Sequence, residues 1–166
     1  MANARESQAA VSITTNSSSR PVGQPVNERF NTSSHLLDHS DWKITFLVRN
    51  PTLWDPTSYG QLEVSLLYHG FSISSTSVSP FHLHKEDKGL VAASMATILP
   101  VDNNVVVGNI NDDLKDGAVN FTVAVNGTVK SRPWTGDWHD MTVSCYNVMV
   151  GFYGNNGGAL VGGGSA

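Results

Sequence analysis

The stretch Trp42–Pro51, WKITFLVRNP, decides the fold. Trp42, Ile44, Phe46 and Val48 fall at every second position, while Lys43, Thr45 and Arg49 take the other parity. Side chains alternate between the two faces of a strand, so this pattern predicts a strand with one face in a core and the other mostly wet. It stops at Asn50-Pro51, because proline has no N–H for a sheet ladder and disfavours the helical region for the residue before it.

The same reading extends outward in both directions. Residues 8–14, QAAVSIT, predict a short first edge strand, and the Ser-, Asn- and Pro-rich residues 16–31 a loop anchored by Phe30. After Pro51, residues 52–60, TLWDPTSYG, read as a long connection in which Trp54 and Tyr59 fold over an edge of the core. Residues 61–68, QLEVSLLY, alternate, and His69-Gly70 is a tight turn signal into residues 71–78, FSISSTSV, so the two segments predict a hairpin. Residues 81–89, FHLHKEDKG, are polar and read as a connection to the apolar run 90–99, LVAASMATIL, which composition allows as strand or helix and whose length and flanking Gly89 and Pro100 favour a strand. Residues 111–115 predict one helical turn with an acidic pair at its start. Residues 118–129 form a second clear amphipathic strand, with Val119, Phe121, Val123 and Val125 inward and Asn120 and Asn126 outward. Two tryptophans, Trp134 and Trp138, sit in a loop before a closing strand over residues 141–152; a binding reading stacks them on a sugar or a partner, and the commoner structural reading has them capping the end of a sandwich.

Seven strands separated by turn signals, with no alternation of strand and helix, predict an all-β chain: a seven-stranded antiparallel β-sandwich of immunoglobulin or fibronectin-III type, with at most one short helical turn and disordered ends. The expected organisation is a flexible tail over residues 1–7, the sandwich over 8–152 and a flexible Gly-rich tail over 153–166. A length of 166 residues suits one such domain.

Composition excludes several function classes. The chain carries a formal net charge of -4 with its basic residues scattered, so it lacks the clustered Lys and Arg that replace phosphate counterions, and no nucleic-acid partner is expected. No run is long and apolar enough to read as a transmembrane segment. Cys145 is the one cysteine, so no internal disulfide forms, and its apolar setting TVSCYNVMV makes it a small core hydrophobe. Asn16, Asn31, Asn120 and Asn126 head N-x-[ST] sequons, candidate N-glycosylation sites if the chain is secreted.

Recognisable reaction chemistry is missing. No G-x-S-x-G elbow or P-loop occurs, and the acidic run Asp112, Asp113 and Asp116 before Gly117 lacks the glutamate of a calcium loop. His82 and His84 leave the same face of an extended segment, and His35 and His39 lie four apart, but neither pair has a third ligand at a defined spacing. Metal binding through surface histidines is therefore a distant alternative, and no cofactor and no catalytic residue are assigned.

Taken in order, ERFNTSSHLLDHSDWKITFLVRNP, LEVSLLYHGFSISSTSVSPFH, DDLKDGAVNFTVAV and MTVSCYNVMVGF resemble one plant family. It is the harpin-induced, non-race-specific disease-resistance-like family, whose shared module is the late-embryogenesis-abundant type 2 domain, related to the water-stress-and-hypersensitive-response domain. The resemblance covers about residues 28 to 152. It implies a seven-stranded sandwich and a non-enzymatic protein of plant defence or abiotic stress, acting through protein or membrane-proximal interactions. The partners it implies are membrane-associated defence components, and the location is the plasma membrane. The alternative function is a soluble desiccation protectant of proteins or membranes. Arg49, Asn50 and Pro51 match the family's signature, carried over as a structural or recognition motif. The chain departs from the pattern in having Thr52 where many members have a second asparagine, and in showing no membrane helix ahead of the domain; the latter makes a cytoplasmic location the alternative.

Overall fold

The computed structural model describes residues 11–17, 40–50, 52–97, 104–132, 134–152 and 158–162. The chain runs β1 (Val11–Ser17), β2 (Ser40–Arg49), β3 (Thr57–Tyr59), β4 (Leu62–Tyr68), β5 (Phe71–Val78), β6 (Phe81–Leu83), β7 (Lys88–Ala96), one helix α1 (Asn104–Lys115), β8 (Ala118–Ser131), β9 (His139–Phe152) and β10 (Gly158–Gly162). Every pairing is antiparallel. Eight strands lie side by side in the order β5-β4-β8-β9-β10-β1-β2-β7, and the short pair β6-β3 attaches to the end of β8. The fold is all-β and sandwich-like. The two ends of that order meet, because the Ser74 hydroxyl on β5 donates to the Ala96 carbonyl on β7.

The core lies where the alternating patterns placed it. Trp42, Ile44 and Phe46 of β2 are buried and Val48 is half-buried, facing Val64, Leu66 and Tyr68 of β4, Val119, Phe121 and Val123 of β8, and Val148 and Val150 of β9. Trp42 meets Phe121 edge to face at 5.2 Å between ring centroids, and its indole N–H donates to Thr97 Oγ1 at 2.8 Å. A buried indole thus keeps a polar partner, which is what makes a tryptophan tolerable at the centre of a core. Cys145 is buried among these residues, and burial pushes its thiol up from the ordinary range. The β4–β5 hairpin turns at His69 (φ 47°) and Gly70 (φ 85°), the two left-handed residues that a two-residue hairpin with matched strand twist requires.

Four features differ from the sequence expectation. The described residues hold ten strands, not seven: β10 is added at the end, and the connections at 52–60 and 81–89 contain β3 and β6, three-residue strands too short to show a period. The helix has 12 residues, not one turn. Val106 and Ile110 are buried and Leu114 half-buried, an i, i+4, i+8 stripe that packs α1 on the core, and the acidic pair sits late in the helix. Gly117 (φ 91°) closes it, donating its N–H to the Leu114 carbonyl. Next, β1 is not an edge but lies between β10 and β2. Finally, the Gly-rich residues read as a tail contribute β10, which pairs with β9 and β1; backbone hydrogen bonding to two neighbours does not depend on side chains, so composition hides it. Residues 1–7, Phe30, His35 and His39 lie outside the described residues.

Candidate functional site

The signature at the end of β2 is a buried polar latch. Asn50 has no exposed surface. Its Nδ2 donates to the Asp55 carbonyl at 3.0 Å and to the His84 carbonyl at 3.0 Å, with the Leu83 carbonyl a longer neighbour at 3.4 Å. Its Oδ1 accepts from the Thr52 N–H at 3.1 Å and faces Thr52 Oγ1 at 2.7 Å. Its own backbone N–H donates to the Asp87 carbonyl at 2.9 Å. The amide orientation follows from its partners: carbonyls can only accept and a backbone N–H can only donate. A buried side-chain amide is tolerable only when satisfied in this way.

What the latch holds is three stretches of chain. The Asn50 Oδ1 bond to the N–H two residues on is the bond of an Asx turn. The Thr52 hydroxyl, with one proton to share, lies against both Asn50 Oδ1 and the Asp55 carbonyl. Thr52 therefore takes part in the latch at the position where the resembled pattern has asparagine. The turn after β6 is drawn in by the His84 and Asp87 carbonyls and by the Glu86 N–H, which donates to the Thr52 carbonyl at 3.1 Å. Glu86 sits at φ 56°, a left-handed conformation for a residue with a side chain, in a turn held on both sides by these bonds.

The β8–β9 loop joins the same end of the molecule. Arg132 Nε donates to Asp55 Oδ2 at 2.9 Å, and the Arg132 N–H to the Pro56 carbonyl at 3.3 Å. The loop then closes on itself, with the Thr135 and Gly136 N–H groups both donating to the Arg132 carbonyl. Gly136 is required there: a Cβ would collide with the backbone carbonyl of Ser131 and press on that of Arg132 at 3.2 Å. Residues 50, 52–56, 84–88, 131–132 and 134–138 thus form one bonded pole around the buried Asn50.

On the outside of this pole stand the tryptophans. Trp54 is 82% exposed and Trp134 92% exposed, with Leu53 and Trp138 exposed beside them. Neither Trp54 nor Trp134 stacks on another ring among the described residues. The expectation that Trp54 covers an edge of the core and that Trp134 and Trp138 cap the sandwich is therefore corrected. Tyr59, which stacks on Phe81 at 4.7 Å, does that packing, and its burial pushes the phenol up from its ordinary range. Only Trp138 is partly held, with Lys130 Nζ 5.9 Å over its ring and the backbone of Gly60 beneath it.

The other sequence candidates are dispersed. Arg49 is exposed, and Pro51 lies outside the described residues. His82 and His84 are both exposed on either side of buried Leu83, their rings 5.6 Å apart and nearly perpendicular. Among the described residues no group of three or more His, Cys, Asp or Glu is placed to hold a metal ion. Asp112 pairs with Lys115 at 2.7 Å, and Asp113 Oδ2 accepts from the Tyr68 hydroxyl at 2.8 Å, so this acidic run is engaged in the helix end. Asn120 and Asn126 stand exposed on the wet face of β8, Asn120 donating to Asn147 Oδ1 at 3.2 Å. Asn16 is in β1 opposite Asp41, and Asn31 lies outside the described residues. No helix among the described residues is long and apolar enough to cross a membrane.

Sequence reasoning found Asn50 but not its partners. The Asn-Pro-Thr run carries a readable Asx-turn signal, whereas the carbonyls of residues 83 and 84 and the Arg132–Asp55 pair come from far along the chain and leave no local mark.

No family model and no curated protein matches the chain. Among solved structures, a protein from Archaeoglobus fulgidus superposes with a TM-score of 0.40 at 12% identity, over 64% of this chain and 82% of that one.

Proposed function

We propose that the chain is a non-enzymatic module of plant defence or abiotic-stress response that works by contact, as its resemblance over residues 28 to 152 implies. The contact surface is the pole carrying Leu53, Trp54 and Trp134, and the location is membrane-proximal, at the plasma membrane. The supporting observation is the exposure of Trp54 and Trp134 on loops that the Asn50 latch and the Arg132–Asp55 pair hold in place. Large apolar side chains left in water on an ordered surface mark an interaction site. On this reading the family signature acts from inside: Asn50 touches no partner but fixes the loops that do.

Complementation tests it. Plants lacking the gene should show altered pathogen and water-stress responses. Those responses should be restored by the wild-type chain and not by one carrying Trp54→Ala and Trp134→Ala. Unaltered responses in the deletion line, or full rescue by the double variant, overturn the proposal.

A further inference from the structure

We propose that the tryptophan pole seats on the interface of a zwitterionic lipid bilayer, with Leu53, Trp54 and Trp134 entering the headgroup region; this rests on the reading of the pole as the contact surface. Indole rings favour the membrane–water interface because an apolar body and a polar N–H suit a boundary that is greasy on one side and wet on the other. Two exposed indoles and the exposed Leu53 are carried on two loops that the Asp55–Arg132 pair and the Arg132 N–H bond to the Pro56 carbonyl join, so little order has to be created on contact.

Charge selects the lipid. The turn at 84–88 balances within itself, Lys85 and Lys88 against Glu86 and Asp87, and Arg132 is taken up by Asp55. With exposed Asp137 added, the pole carries one more acidic than basic side chain; it offers no cluster of Lys and Arg for an anionic leaflet to attract, and suits a headgroup layer with no net charge. The geometry also separates this occupant from others. A sugar is gripped by convergent polar groups beside the ring it stacks on, yet the Asn50 amide, Thr52, Asp55 and Arg132 in the loops that carry these rings are bonded to one another. A protein hot spot sits in a packed patch whose rim excludes water. Rings as exposed as Trp54 and Trp134 project beyond such a rim, and a bilayer interface closes around a projecting ring from every side. Three partly inserted side chains make a weak, reversible contact, one that orients a protein held near the membrane and does not anchor it.

The test uses the full chain and phosphatidylcholine vesicles, with sedimentation for binding and lipids brominated at graded depths to quench tryptophan emission. Wild type should partition at millimolar lipid, be quenched most by shallow bromines and hold its partitioning as salt is raised. The variant with Trp54→Ala and Trp134→Ala should partition at least about tenfold less while melting at the same temperature. The inference is overturned by no partitioning, by partitioning only into anionic vesicles, by equal partitioning of the double variant, or by soluble oligosaccharides shifting the wild-type emission. Should wild type fail to partition while the double variant still fails to rescue plants, the bilayer is excluded and the contact reading stands.

Discussion

The inside and the outside of one pole break the burial rule in opposite directions. Asn50, a polar side chain, has no exposed surface, while Trp54 and Trp134 on the loops of the same pole, the largest apolar type, stand almost wholly in water. The inner exception is answered within the molecule: four bonds to the Asn50 side chain and one to its backbone leave nothing for a ligand to supply. The outer exception is not answered among the described residues. A satisfied exception is a device of folding, and an unsatisfied one is a surface waiting for a partner.

The sharpest way to break this contrast is at Asn50. Asn50→Ala removes the amide and strands two carbonyls and an N–H in the interior, so unfolding free energy measured in denaturant should fall by about 3 kcal/mol. Asn50→Asp keeps the shape and turns one oxygen toward the Asp55 and His84 carbonyls. As an ionised group it repels both, and as a protonated acid it still donates one bond. Its folded pKa therefore lies above the unfolded value of about 3.9, and its penalty should grow as pH rises through that window. A penalty that is flat with pH would mean that the latch opens to water when it is altered.

Gly136→Ala attacks the outer region through its support. The added Cβ meets backbone carbonyls that cannot swing aside, so the loop carrying Trp134 must open, at a cost of about 1–3 kcal/mol. Stability and vesicle partitioning should fall together in this variant, whereas a change of stability with partitioning intact would uncouple the tips from the loop.

Tyr68 stands between the two extremes, buried in its ring and bonded through its hydroxyl to Asp113. Burial first, and then the bond to Asp113, push its pKa up to about 12 from an ordinary value near 10. Between those values the unfolded chain has released a proton that the folded chain keeps, so stability declines as pH rises from about 10 to about 12. Tyr68→Phe removes that titration, and its alkaline unfolding profile should be flatter than the wild type's over the same interval.

How much of this was legible follows from the range of each cause. Strands β2, β4 and β8 showed themselves because alternation is local and each spans at least seven residues. The helix hid behind Val105-Val106-Val107, a β-branched run whose composition reads as strand, although the stripe Val106, Ile110, Leu114 was present in the spacing. Strands β3 and β6 carry three residues each, too few for a period, and β10 is written in glycine and small residues whose pairing is a matter of backbone alone. At the pole the expectation that differed was the place of Trp54, Trp134 and Trp138. Hydropathy places tryptophan inside, and the burial of Asn50 depends on acceptors contributed by residues 55, 83 and 84, so only the assembled chain reveals either.

The smallest expected effects carry the other half of the comparison. Asp55→Ala breaks an ion pair whose partners are both partly in water, and such pairs are worth under about 1 kcal/mol. For Trp54→Ala and Trp134→Ala the argument runs lower still. A side chain stabilises a fold through the water it sheds on folding, and these two shed almost none. Each substitution should therefore move unfolding free energy by no more than about 0.5 kcal/mol, the range of surface positions, against several kcal/mol for the equally large but buried Trp42. A loss above about 1 kcal/mol at either position, measured by denaturant unfolding, would mean that the ring packs on something within the molecule. The pole would then be part of the fold's own support, and its tryptophans would no longer be available to a partner.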